Sequence, residues 1–144
     1  MKIMFCGHGE MDITNEIAAE VKETCLSLLH QGADTFLLGG YGAFDLLCKK
    51  VLQQLRNDGY HFKLLLVIPY LNRTVSADGY DEIIYPPIEH VPLRYAISKR
   101  NEWMVMHTDV VVSYILRHWG GAYSTMMYAR KKKKTIILLP KNGK

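Results

Sequence analysis

Leu37-Leu38-Gly39-Gly40-Tyr41-Gly42-Ala43-Phe44-Asp45 is the stretch whose reading decides the fold. An apolar strand over Thr35–Leu38 runs into a glycine turn, and an amphipathic helix leaves it. Phe44, Leu47, Cys48, Val51, Leu52 and Leu55 mark one face of that helix as far as Asn57-Asp58-Gly59. The arrangement returns near the end of the chain. There Val110-Val111-Val112 lies in a strand that precedes Trp119-Gly120-Gly121-Ala122-Tyr123-Ser124-Thr125, and a helix follows over 122–132. Strands that feed helices through glycine turns are the mark of an alternating α/β chain.

The remaining segments extend the alternation in both directions. Residues 2–6 predict a short apolar strand, followed by the turn Gly7-His8-Gly9-Glu10. From Thr14 to Gln31, Ile17, Val21, Cys25, Leu28 and Leu29 fall at helical spacing, with Thr14 as N-cap and Gly32 as stop. Phe62–Ile68 is nearly continuous in apolar residues, the pattern of a strand buried on both faces of a parallel sheet. Residues 70–94 are the least regular part, punctuated by Pro86, Pro87 and Pro92, with room for a short extra strand over 81–85. A helix is predicted over 95–107 with Ile97, Trp103 and Met104 inward, then strands over 109–116 and 135–139. The expectation is one domain over 1–144: a Rossmann-like, doubly wound, mostly parallel five-stranded sheet with helices on both faces.

Composition narrows the class. The chain has 144 residues, 49% hydrophobic and 22% charged, enough to bury a core and typical of globular chains. No apolar run approaches the roughly 20 residues that cross a bilayer, and the N-terminus lacks a signal-peptide layout. The expectation is a cytoplasmic protein without membrane contact. Cys6, Cys25 and Cys48 are odd in number and lack CxxC spacing, so they read as reduced thiols. Net charge is +4, and five of the 18 Lys and Arg lie in Arg130–Lys134. Cations closing a helix complement its dipole, and no aromatics interleave with them as a nucleic-acid groove would want. Nucleic acid is therefore not the expected partner.

In a doubly wound sheet, ligands sit beyond the carboxyl ends of the strands. Both glycine turns and the Gly7–Glu10 turn follow strands and should gather there. Helix N-termini entered through glycines present backbone N–H groups to an anion. The spacing is neither GxGxxG nor a P-loop, which needs GK[ST]. Ser124 and Thr125 can cap their helix or bind an anion oxygen. Asp45 can cap, or accept from a ribose. Arg100 can be a solvated helix residue, or a bidentate phosphate contact. His8 and Glu10 suggest a general base or a metal pair, but two ligands without a third are no metal signature. Cys6 at a strand end reads as a small core residue ahead of a thiolate nucleophile.

Three stretches taken in order resemble the SLOG superfamily, the Rossmann-like proteins grouped around SMF/DprA and the LOG phosphoribohydrolases. They are Phe5-Cys6-Gly7-His8, then Gly39-Gly40-Tyr41-Gly42-Ala43-Phe44-Asp45, then Lys99-Arg100-Asn101-Glu102-Trp103-Met104 leading to Thr108-Asp109 and Gly120–Thr125. The nearest likeness is to the small stand-alone YpsA-like branch, which implies a bacterial or phage source. The resemblance implies a nucleotide-derived ligand, no further cofactor, and either a sensor or an N-glycosidic hydrolase of nucleoside monophosphates. The implied ligand set is Gly7, His8, Gly39, Gly40, Gly42, Asp45, Arg100, Gly120, Gly121, Ser124 and Thr125. In the hydrolase branch a PGGxGTxxE motif carries the acting glutamate. Here Trp119 replaces the proline, Tyr123 the third glycine, and Met126 and Met127 stand where the acid would fall. An oxocarbenium-like transition state needs a nearby carboxylate. Glu10, Asp45 and Glu102 are the candidates to replace it. The reading is therefore a ligand sensor first, a hydrolase second and a DNA-binding protein third. Apolar surface near Trp103, Tyr123, Met126 and Met127 suggests a homodimer.

Overall fold

The computed structural model describes residues 1–71 and 76–141. The helices start and stop where local chemistry dictates. Helix α1 spans Asn15–His30, and the Thr14 hydroxyl accepts the Ile17 N–H at 3.2 Å, so the expected N-cap is in place. Helix α2 spans Ala43–Asn57, and the six apolar residues of its predicted stripe are all buried. A single 3-10 turn over Leu93–Tyr95 leads into α3, Ala96–Met106, and α4 covers Gly121–Lys131.

Six strands form one sheet: β1 Lys2–Gly7, β2 Thr35–Leu38, β3 Lys63–Val67, β4 Glu82–Ile84, β5 Val110–Tyr114 and β6 Thr135–Leu139. Their order is β4-β3-β2-β1-β5-β6, and every neighbouring pair is parallel. The sheet therefore has one strand more than the apolar runs predict. Strand β4 is short and mostly exposed, so it carries no buried-strand pattern. Asp81, just before it, docks it to β3. Its carboxylate accepts the Leu64 N–H and an Arg56 N–H, both at 2.7 Å, while Arg56 also donates to the Phe62 carbonyl at 2.9 Å. Residues 72–75, inside the irregular 70–94 stretch, lie outside the described residues.

Alternate residues of each strand feed two cores. Ile3, Phe5, Phe36, Leu38 and Val112 meet Val21, Cys25 and Leu28 of α1 and the α2 stripe on one face. Met4, Leu37, Leu65, Val67 and Val111 meet Met104 and Val105 of α3 and Met126 and Ala129 of α4 on the other. Each such aliphatic side chain contributes about 1.5–3 kcal/mol when buried, so packing holds the helices in place. Two side-chain placements differ from expectation. Ile97 is 45% exposed, because it lines the open crevice at the carboxyl ends of the strands and not the packed core. Met126 points into the second core, so the apolar surface offered near α4 shrinks to Met127 and its neighbours.

Strand order reverses beside β1, whose neighbours are β2 and β5. That places the loops after β1 and β5 around the crevice where such sheets receive ligands. The basic run lies at the other edge. Lys134, ahead of β6, donates to the Thr108 carbonyl at 3.0 Å, where the amino ends of the strands meet the helix ends.

Candidate functional site

A cavity of about 210 Å³ opens at that reversal point. Its floor is the end of β1. Gly7 must be glycine, because a Cβ there would sit 2.3 Å from the Phe44 ring, which packs directly over the backbone. His8 is buried, and its Nε2 accepts the Leu116 N–H at 2.9 Å. That bond ties the loop after β1 to the loop after β5. It also assigns the ring proton to Nδ1. Burial, and then the positive charge of Arg117, hold His8 below the usual imidazole range, so the ring is neutral.

The β2–α2 loop forms the second wall and is held from within. Gly42 has φ near +90°, and a Cβ on it would lie 2.6 Å from the Gly9 Cα. The close approach lets the Ala43 N–H donate to the Gly9 carbonyl at 2.9 Å. Asp45, in the first turn of α2, reaches back to accept the Gly39 N–H at 3.0 Å. Burial pushes its carboxyl up to about 6, against the pull of Arg100 and the N–H groups of Gly39, Gly40 and Tyr41. Its carboxylate thus serves its own loop, in the role of an internal cap.

Arg100 is 4% exposed, which removes the solvated-helix alternative. Its Nη1 donates to the carbonyls of Gly39 at 3.0 Å and Val67 at 2.7 Å, and its Nε to the Asn101 side chain at 2.8 Å. The guanidinium joins the carboxyl ends of β2 and β3 and leaves its charge on the cavity wall. A Cβ at Gly39 would lie 2.9 Å from its Cζ, so Gly39 and Arg100 fit each other.

The third wall is the start of α4. Gly120 precedes the helix with φ near +93°, and no side chain caps the first turn. The Thr125 hydroxyl, on the cavity lining, donates its one proton to the Gly121 carbonyl at 2.8 Å, so toward a ligand it can only accept. Ser124 is exposed and lines a separate groove between α3 and α4. Of the three carboxylate candidates only Asp45 lines the cavity. Glu10 is exposed, and Glu102 pairs with Lys99 at 3.3 Å along the groove. Cys6 donates to or accepts from Ser113 at 3.1 Å, and burial pushes its thiol up to about 12, the behaviour of a core residue. Among the described residues, no three His, Cys, Asp or Glu side chains gather as metal ligands.

Arg117 is the lining residue that sequence reasoning missed. Its signal was slight: a lone cation between a strand end and a glycine turn. Its contribution depends on Trp119, two residues on, and on His8, which the fold brings within reach of its charge.

No protein-family model matches the sequence, and no curated protein matches it. Solved structures do. TM1055 aligns with a TM-score of 0.67 and 18% identity over 99% of this chain and 75% of its own. The molybdenum cofactor carrier protein of Chlamydomonas reinhardtii aligns at 0.64 and 19%, over 95% and 74%. DNA processing protein A of Helicobacter pylori aligns at 0.66 and 17%, over 98% and 66%, so this chain spans about two thirds of it. The chain shares the Rossmann-like fold of these three proteins. The likeness anticipated from the ordered motifs holds at the level of fold, and identities this low carry no more than that. Among the described residues no helix is long and apolar enough to cross a membrane.

Proposed function

We propose that this chain binds a nucleotide or nucleotide-derived ligand at the β1/β5 crevice and does not turn it over. One observation carries the reading: Arg100 and Arg117 both line a small cavity at the reversal point of a doubly wound sheet, against the single carboxylate of Asp45. A surplus of positive charge in such a crevice suits a phosphate. At about 210 Å³ the cavity falls below the roughly 300–1,000 Å³ of sites that enclose a drug-sized ligand. It suits the phosphate end of a nucleotide, with the base outside near the half-exposed Tyr41. In this reading the Gly121 end of α4 faces the phosphate, while Gly7, Gly39 and Gly42 shape the walls; of the expected glycines, Gly40 packs against Leu66 beside another pocket and Gly120 lies outside the lining. Calorimetry against AMP, ADP-ribose, cyclic nucleotides and the molybdenum cofactor, which the Chlamydomonas neighbour carries, tests it. Absence of heat for every ligand at millimolar concentration overturns it.

A second reading, hydrolysis of the N-glycosidic bond in nucleoside monophosphates, rests on Asp45 as the one candidate carboxylate that lines the cavity. It requires release of free base by the native chain and its loss in Asp45→Asn. The Helicobacter neighbour's single-stranded DNA binding is not extended to this chain, because the basic run lies at the opposite edge of the sheet. A symmetric dimer is part of the proposal, with Ile97 and Met127 as its exposed apolar surface. Sedimentation at micromolar concentration tests it, and a monomeric mass removes it.

A further inference from the structure

We infer that Arg117 is the residue that recognises the ligand's phosphate, and that it does so through a guanidinium edge the fold leaves unsatisfied. The inference rests on the nucleotide reading above and names the residue that reading turns on. Among the described residues, the Arg117 Nε is the one buried side-chain nitrogen or oxygen without a hydrogen-bond partner. A buried donor left unpaired costs about 1–3 kcal/mol, and at a cavity wall a ligand oxygen offsets that cost. The position is set by packing. The Arg117 guanidinium lies 4.1 Å from the centre of the Trp119 ring, which holds its plane without consuming any N–H group.

The neighbouring groups set what can occupy that edge. Arg100, the other cavity arginine, has Nη1 on two carbonyls and Nε on Asn101, which leaves only Nη2 without a protein partner. His8 spends its acceptor nitrogen on Leu116 and turns a proton-bearing Nδ1 to its surroundings. Arg117 is thus the cavity arginine with no donor held by a protein acceptor among the described residues, whereas Arg100 is fixed to the strand ends by three of its five N–H groups. A guanidinium fork matches two oxygens of one phosphate, which a neutral nucleoside lacks. The ligand class is therefore a phosphate ester presenting two non-bridging oxygens, with Arg117 deciding between nucleotide and nucleoside.

The test compares AMP, adenosine and inorganic phosphate on the native chain, Arg117→Ala, Arg117→Lys and Arg130→Ala, each first shown to unfold at the native temperature. Arg130 is an exposed arginine at the far edge and controls for net charge. Expected is AMP binding at least tenfold tighter than adenosine in the native chain and in Arg130→Ala. Arg117→Ala should lose that preference and phosphate binding, with adenosine unchanged, and Arg117→Lys should recover part. AMP binding undiminished in Arg117→Ala overturns the inference and leaves the nucleotide reading standing. A native chain that binds neither AMP nor phosphate overturns both.

Discussion

The imidazole of His8 accepts the backbone N–H of Leu116 at 2.9 Å, and so joins the two loops that leave the sheet on either side of its reversal point. A protonated ring has no acceptor nitrogen to offer, so this bond exists only while His8 is neutral.

The first prediction follows from that. The folded ring titrates below its unfolded value, so the unfolded chain takes up the proton first. The stability this bond contributes is complete above about pH 6.5 and is lost as pH falls below it. NMR of the imidazole carbons should show His8 still neutral at a pH where a free imidazole is charged. His8→Ala should lower stability at pH 7.5 by about 1 kcal/mol and flatten the acid limb. A His8 ring that titrates like a free imidazole would refute the assignment.

Asp45 works in the opposite direction. Its folded carboxyl is raised from 3.8 to about 6, so the native state holds the proton after the unfolded chain has released it. Stability therefore falls as pH rises through that window, by about 2 kcal/mol once its partial exposure to solvent is allowed for. Asp45→Asn keeps an acceptor for the Gly39 N–H and removes the titration. Urea midpoints of the variant should gain on those of the native chain between pH 4 and 6.5. Parallel curves would show that Asp45 ionises like an ordinary carboxylate.

Arg100 is expected to be a residue of the fold before it is a residue of the site. Arg100→Met leaves the Gly39 and Val67 carbonyls without their donor and should cost about 2–4 kcal/mol in urea unfolding. Arg100→Lys offers a single ammonium where a planar fork spans β2 and β3, and should recover less than half. A loss below about 0.5 kcal/mol would show that the carbonyls find other partners.

Glycines that look alike in the sequence should behave differently. Gly42→Ala forces a Cβ to 2.6 Å from the Gly9 Cα at positive φ and should cost about 2 kcal/mol or more. A Cβ at Gly121 meets nothing within 4 Å, so Gly121→Ala should leave the melting temperature within a degree or two. Equal losses at both positions would contradict the packing of the β1 loop against α2.

Much of the architecture was legible because it is periodic. The stripe from Phe44 to Leu55, the Thr14 cap and the apolar runs at Leu64–Val67 and Val110–Val112 answer to local geometry, and each element formed within a residue or two of its expected ends. Strand β4 was only hinted at, since an edge strand held by the Asp81 carboxylate needs no apolar pattern. Its partners, Leu64 and Arg56, come from 17 and 25 residues away.

The chain by itself thus determined which segments are strands and helices, and that three glycine turns meet at one edge of the sheet. Spacing and hydrophobic period are local quantities, and they suffice for that. Tertiary structure alone decided how the side chains at that edge divide their hydrogen bonds. Asp45 and Arg100, the charged residues the motifs favoured, satisfy the backbone of their own walls. Arg117, which no motif marks, keeps a buried donor open. The reason is physical: a residue's partners are set by which backbone groups the fold leaves unpaired beside it, and for Arg100 those lie 33 and 61 residues away.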